Sequence, residues 1–446
     1  MDLTDVADLV LAGVEGDEQV EAYVARSRDA QVRAYEGEVE QLSVAESLGV
    51  GVRVVREGRQ GFAYCGTFDP EAVRDTLTEA RDNAAFAEPD EWAGLAVDDG
   101  VAPPELDLWR DDLLHVPTER KVAMAVELEN AIRAADARVT GIESCDYGDN
   151  AAEIVIATTT GIRRESRYTG CELVGYSLAG DGDETQTGFG FSVGRSIDDL
   201  DIERAARDAA DRATRMLGAV KPPSEKLTVV LDPWVSAQLL GIVAGTLSAE
   251  EVVKGRSLFA DRAGEQVAAS MVTLVEDPTD PRAWGASPID AEGLASRRVP
   301  LIEGGVLRGF VHSSWTARRT GAASTGSAVR AGFKSTPGAA CRAVVLNPGA
   351  EAPDELVAGL DQGVLVQEVS GLHSGVNPVS GDLSTGAEGL RIRGGALAEP
   401  LREFTIASTL QKLLQDVVAV GNDLTWLPMG AAGVSVAIRD VSISGQ

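Results

Sequence analysis

The first 218 residues carry one pattern of apolar and polar positions twice. In the first copy, "VRAYEGEVEQLSVAESLGVGVRVVREGRQGFAYCG" alternates with the period of strands and turns at Glu57-Gly58. In "TFDPEAVRDTLTEARDNAAF", Val73, Leu77, Ala80 and Ala84 then recur at helical spacing. Asp69 is placed to cap this helix, and Pro70 stands at its first position. The second copy supplies strands in "AEIVIATTTGIRRESRYTGCELVGYSLAG" and a last strand in "GFGFSVG". A helix follows with Ile202, Ala205, Ala206, Ala209, Ala213 and Met216 on one face. Each copy opens with a helix, near Leu3–Val14 and Thr118–Ala135. The predicted units are residues 1–90 and 117–218, joined by the Pro/Asp/Gly-rich connector 91–116.

A second break falls at "GAVKPPSEK", and the pattern changes beyond it. "LTVVLDP" predicts a strand running into a helix capped by Asp232, with Pro233 behind it. The helix and a polar loop occupy "VSAQLLGIVAGTLSAEEVVKGRS". Many short β segments follow, then one helix over "STLQKLLQDVVAV" and a closing strand in "GVSVAIRDVSIS". The expected class is α+β: duplicated helix/antiparallel-strand units followed by a β-rich C-terminal domain over 225–446.

Composition adds bounds. A chain of 446 residues is long enough for two or three domains. The acidic start "MDLTDVADLVLAGVEGDE" has no basic region of the secretory kind, and no stretch predicts a membrane span. Cys65, Cys145, Cys171 and Cys341 are widely separated, as expected of free thiols in a reducing cytoplasm. The net charge of −30 is spread along the whole chain. That charge repels nucleic acid and anionic membrane. It predicts a halophilic protein, whose self-repulsion concentrated salt screens.

Chemistry-bearing motifs are sparse. His115, His312 and His373 lie far apart, and H-E-x-x-H is absent. "AGFKST" lacks the glycine spacing of a phosphate loop before Lys334-Ser335. "GFSVG" formally matches a nucleophile elbow at Ser192, but no helix starts at that serine. His373 stands in the Gly-rich stretch "SGLHSGVNPVSGDLSTG", where backbone can approach a ligand closely. From the residues alone, none earns a catalytic or metal-ligand role.

Four stretches nevertheless resemble the TldD/PmbA family and follow its order. They are "LGVGVRVVREGRQGFAYCGTFDPEAVRDTLTEA", "VVLDPWVSAQLLGIVAGTLSAEEVVKGRSLFADRAGEQVAASMVTLVEDP", "ASPIDAEGLASRRVPLIEGGVLRGFVHSSWTARRTG" and "GVNPVSGDLSTGAEGLRIRGGALAEPLREFTIASTLQKLLQDVVAVGND". The resemblance implies two kinds of subunit. TldD-type chains are zinc peptidases with H-E-x-x-x-H on the helix after the first C-domain strand and a Cys near the C-terminus. PmbA/TldE-type chains lack those ligands and pair with them. This chain has "GIVAGT" at the motif, with Gly241 and Thr246 at the histidine positions and Ile242 at the glutamate. It has no Cys in "GNDLTWLPMGAAG".

The resemblance therefore implies a noncatalytic subunit with no cofactor of its own. Zinc is expected in a TldD-like catalytic partner, and unfolded peptide is the substrate of the complex. The candidate peptide-groove loop comprises His373, Gly375, Val376, Asn377, Val379, Gly381 and Asp382. Two alternatives remain open at this stage. One is a peptide-binding homodimer without an enzymatic partner. The other is an autonomous hydrolase built on His373 with Ser374 or Ser380.

Overall fold

The computed structural model describes residues 1–445, and of Asp183 the backbone only. The N-terminal half runs α1 (Leu3–Ala12), β1 (Gln19–Tyr35), β2 (Glu38–Arg56), β3 (Arg59–Cys65), α2 (Pro70–Phe86), α3 (Thr118–Ala135), β4 (Val139–Thr158), β5 (Arg163–Ala179), β6 (Gln186–Gly194) and α4 (Ile202–Thr214). Both copies therefore read helix, three strands, helix. Their strands form one six-stranded antiparallel sheet in the order β3-β2-β1-β4-β5-β6. The copies meet where β1 pairs with β4, from Glu21↔Thr158 to Ala34↔Cys145.

Alternation along the strands decides which face the helices cover. Val20, Ala22 and Val24 of β1 and Val50, Val52 and Val54 of β2 are buried beneath α1 and α2. Leu173 of β5 is buried with Leu128 and Ile132 of α3 and Ala205 and Ala209 of α4. The outermost strand of each copy touches its helix through glycine. A Cβ on Gly61 would lie 2.0 Å from the Ala80 carbonyl, and one on Gly190 would lie 1.9 Å from that of Ala205. Only glycine permits that approach of helix to sheet.

The C-terminal half runs β7 (Glu225–Leu231), α5 (Pro233–Thr246), α6 (Ala249–Val253), β8 (Leu274–Glu276), β9 (Val299–Glu303), β10 (Val306–Leu307), α7 (Ser314–Thr320), β11 (Ala328–Val329), β12 (Gly338–Ala339) and β13 (Val344–Leu346). It continues through α8 (Pro353–Ala358), β14 (Gln362–Ser370), α9 (Leu372–Gly375), β15 (Asp382–Arg393), β16 (Ala396–Thr409), α10 (Leu410–Gln415), β17 (Val417–Val420) and β18 (Val436–Ser444). Its main sheet has the order β16-β15-β14-β7-β18-β17, and a further β16–β18 pairing turns the sheet back on itself. The largest core packs α5 and α10 with the main sheet and the smaller β10-β9-β8-β13 sheet.

Three local expectations are corrected. The helix expected over Ser408–Val420 stops at Gln415, and Val417–Val420 is a strand paired with β18. The β-branched Val417, Val418 and Val420 suit that pleated surface better than a helix. The polar loop after α5 contains the short helix α6, capped by Ser248. The Gly-rich stretch around His373 contains the one-turn helix α9.

The uncovered face of the N-terminal sheet receives the C-terminal half. Tyr23, Ile156 and Ile162 pack with Ile289, Leu294 and Phe333. Beside this patch lies a buried ionic cluster. Glu21 takes Arg53 at 2.7 Å and Arg330 at 2.8 Å, and Arg53 also lies 3.5 Å from Glu292. No helix among the described residues is long and apolar enough to cross a membrane.

Candidate functional site

The site is organised by α5. β7 delivers the chain to Asp232, whose Oδ1 accepts from the Val235 N–H at 3.0 Å and caps the helix. The Asp232 Oδ2 takes Arg212 of α4 at 2.5 Å, and Arg212 also donates to the Gln367 carbonyl at 3.1 Å. The helix start is thus tied to the second N-terminal unit. Val235, Ala237, Leu239, Leu240, Val243 and Ala244 are buried in the main core. Trp234, Gln238, Gly241, Ile242 and Gly245 form the more accessible stripe.

The three motif positions differ in environment. Gly241 is exposed, and a Cβ there would meet nothing within 4 Å. Ile242 is half-buried and packs against the core. Thr246 is buried, and its hydroxyl donates to the Val243 carbonyl of its own helix at 2.6 Å. Gly241 and Ile242 carry no donor side chain, and the Thr246 hydroxyl is occupied, so these residues do not fit a zinc ion. Among the described residues, no group of three or more His, Cys, Asp or Glu side chains could hold a metal ion.

The loop 421–433 closes over the start of the same helix. The Val434 N–H donates to Ser236 Oγ at 3.0 Å. A Cβ on Gly433 would sit 1.9 Å from the Pro233 carbonyl. From another direction, Cys341 Sγ lies 3.8 Å from the Ala244 carbonyl. Burial raises the Cys341 thiol well above its ordinary pKa, so it stays protonated.

Next to Trp234 is a cleft of about 280 Å³ between β6, α4 and the start of α5. Its wall is aromatic: the Trp234 ring lies 4.7 Å from Phe189 and 5.5 Å from Phe191. The Arg212 guanidinium stacks 4.6 Å from Phe189. Arg215 shares the cleft, and burial followed by the Arg212 charge lowers its pKa. Asp208 faces the same space, its carboxyl raised by burial. Sequence reasoning missed this cleft. The only signal was a Trp directly after the Asp-Pro cap, because the other walls come from a different unit.

The candidate peptide loop lies elsewhere. Asn377 Oδ1 accepts from the N–H groups of Val379 and Ser380, and the Gly381 N–H donates to the Asn377 carbonyl at 2.8 Å. His373, Asn377, Val379 and Asp382 are exposed, Gly375 and Val376 are half-buried, and Gly381 is buried. Ser374 Oγ donates to the Gly371 carbonyl at 3.2 Å, and Ser380 Oγ to Asp382 at 2.7 Å. Those two hydroxyl protons are committed to acceptors other than His373. Ser192 is buried in β6 and accepts from the Asp201 N–H at 2.8 Å. His312 is buried with a lowered pKa, and His115 is exposed at the end of a helical turn.

Comparison with known proteins places this arrangement. Three profiles match: PmbA/TldA metallopeptidase domain 1 over residues 20–84, the central domain over 111–217 and the C-terminal domain over 224–445. The chain belongs to the PmbA/TldD family. It is 26% identical over 429 residues to "Metalloprotease PmbA" of Escherichia coli, covering 96% of this chain and 92% of that one. It is also 26% identical over 472 residues to a "Metalloprotease" of Methanothermobacter thermautotrophicus, covering 99% of both. TldE of Thermococcus kodakarensis has the same fold, with a TM-score of 0.91 at 23% identity over 99% of both chains. A Thermotoga maritima protein described as a modulator of a DNA gyrase superposes with a TM-score of 0.91 at 25% identity, covering 99% of this chain and 100% of that one. Relatives named metalloproteases support a peptidase role at the level of the PmbA/TldD family. In this member the helix after the first C-domain strand is α5.

Proposed function

We propose that this chain is a noncatalytic, PmbA/TldE-like subunit of a zinc-dependent peptidase complex in a salt-rich cytoplasm. A TldD-like partner supplies the metal and the general base, and this chain helps enclose unfolded peptide. The observation that carries the reading is the chemistry of α5. Gly241 and Ile242 can neither bind zinc nor take a proton from water, and the Thr246 hydroxyl is turned into its own helix. Peptide engagement is assigned to main-chain pairing at exposed backbone, with the loop from His373 to Asp382 as one lining element. Such recognition depends little on side-chain sequence.

The test is hydrolysis of an unfolded protein in high KCl by this chain, by a TldD-like chain from the same host, and by both together. Each is run with and without chelator. Chelator-sensitive cleavage by the mixture, above the partner's own rate, is the expected result. Robust cleavage by this chain alone overturns the proposal.

A further inference from the structure

A groove of about 900 Å³ runs along the outer edge of β5, far in sequence from the α5 site. β6 pairs only with Cys171–Ala179, which leaves Arg163–Gly170 without a neighbouring strand on that side. The direction of each backbone group follows from two hydrogen bonds. The Ile162 carbonyl accepts from Thr158 of β4, so even-numbered residues face β4. The Thr169 N–H donates outward to the Leu108 carbonyl of the connector, so odd-numbered residues face the groove. The Arg163 carbonyl is taken by Arg164 at 3.0 Å. The outward N–H and C=O of Glu165 and Arg167 have no partner among the described residues.

The opposite wall is the connector from Pro103 to Leu108. Pro103 and Pro104 have no N–H to donate, and among the described residues no backbone hydrogen bond from residues 103–107 extends the ladder that Leu108 begins. The result is an unfilled strand position between a pairing-competent edge and a wall that is not hydrogen-bonded to it.

Side-chain chemistry around that position alternates. Val155↔Glu165 and Glu153↔Arg167 are directly opposite, so Glu153, Glu165 and Arg167 share one face of the sheet. Asp2 lines the groove as well. Arg26 is neutralised by Glu153, and Arg167 is drawn onto the Trp109 ring at 5.0 Å. Glu165 and Asp2 have no ion pair among the described residues, so that face presents two carboxylates against the single charge of Arg167. The other face presents Ile154, Ser166 and Pro288.

The geometry points to strand addition on β5 by an extended peptide that alternates basic and apolar residues. Its backbone pairs with Glu165 and Arg167, its basic side chains lie over the carboxylates, and its apolar side chains lie against Ile154 and Pro288. This inference does not rest on the noncatalytic-subunit reading, and its test needs neither a partner chain nor cleavage.

The probe is a fluorescein-labelled nonapeptide of alternating Lys and Val, titrated into the full chain in high KCl by fluorescence anisotropy. The control is the same peptide N-methylated at alternate residues, which keeps its charge and loses main-chain donors. Glu165→Pro removes one outward N–H without touching the β4–β5 ladder, and Glu165→Gln removes only the charge. Binding is expected to weaken at least about tenfold on N-methylation and in Glu165→Pro, and only a few-fold in Glu165→Gln. Residue-resolved hydrogen exchange on the wild-type chain gives a readout free of folding effects: peptide should slow exchange at the Glu165 and Arg167 amides. The inference is overturned if the parent peptide does not bind. It is equally overturned if N-methylation and Glu165→Pro leave binding unchanged, or if peptide alters self-association in sedimentation without protecting those two amides.

Discussion

Arg212 and Asp232 meet at 2.5 Å across the boundary between the duplicated N-terminal sheet and the C-terminal half. The same Asp232 caps α5 through its other oxygen, so one carboxylate fixes both where the helix starts and which unit it leans on. Both side chains are largely buried, with exposures of 17% and 11%, so the pair is screened less than the surface pairs.

Asp232→Ala removes the cap and the ion pair together. The cap alone is worth about 1 kcal/mol, and stranding a part-buried Arg212 adds to that, so destabilisation of about 2–4 kcal/mol is expected. Asp232→Asn keeps an oxygen for the Val235 N–H and should lose less. Urea unfolding in high KCl checks the order. Equal losses in the two variants would show that the cap contributes nothing.

Gly241 stands in the interior of α5, with open space around a hypothetical Cβ. Gly241→Ala is expected to stabilise the chain by about 0.5–1 kcal/mol, because Ala restricts the unfolded chain and fits the helix. The shift in the urea midpoint measures it. A loss of stability would mean that this face is covered in the protein under assay.

Gly433 behaves oppositely. With only 1.9 Å between a Cβ and the Pro233 carbonyl, Gly433→Ala forces loop 421–433 off the start of α5. A cost of about 1–3 kcal/mol is expected, with faster hydrogen exchange at Val434 as its Ser236 bond opens. Unchanged exchange at Val434 would count against the close contact.

The buried cluster between the two halves makes a prediction about pH. Burial would raise the Glu21 carboxyl, but Arg330 and Arg53 outweigh it and hold the pKa below its ordinary value. Its stabilisation is therefore complete above pH about 4.5 and is lost as pH falls through the lowered value. Removing the carboxylate in Glu21→Ala takes away the ion partner of the buried Arg330 and leaves Arg53 only Glu292 at 3.5 Å, at a cost of about 3–5 kcal/mol. Asp290 runs the other way. Burial and the Glu292 charge push its pKa up to about 7, against the backbone N–H of Ala328 and the charge of Arg342. A raised acid destabilises progressively as pH rises from about 4 to about 7. Stability measured across that window should fall less steeply in Asp290→Asn than in wild type, and parallel curves would rule the assignment out.

Much of the local structure was legible in the chain itself. Asp69-Pro70 and Asp232-Pro233 mark helix starts because a carboxylate followed by a residue lacking an N–H suits the first turn. The two helix–strand–helix units were visible as a repeated pattern, because burial on one face imposes periodicity on whatever sequence fills it. The misread segment, Val417–Val420, is short and apolar, and no local rule separates a final helical turn from a strand that finds a partner in β18.

The candidate site divides along the same line. The side chains at Gly241, Ile242 and Thr246 could be read directly, since donor chemistry belongs to the residue. Tertiary structure alone decided that the two copies join edge to edge at β1 and β4, that Arg212 reaches Asp232, and that Glu21, Arg53, Glu292 and Arg330 share one buried cluster. These partners are separated by up to hundreds of residues, and no local propensity encodes which one a charge or a strand edge will meet. The unpaired edge of β5 is of the same kind. Every residue in it reads as an ordinary strand, and only the assembled sheet shows which backbone groups lack a partner.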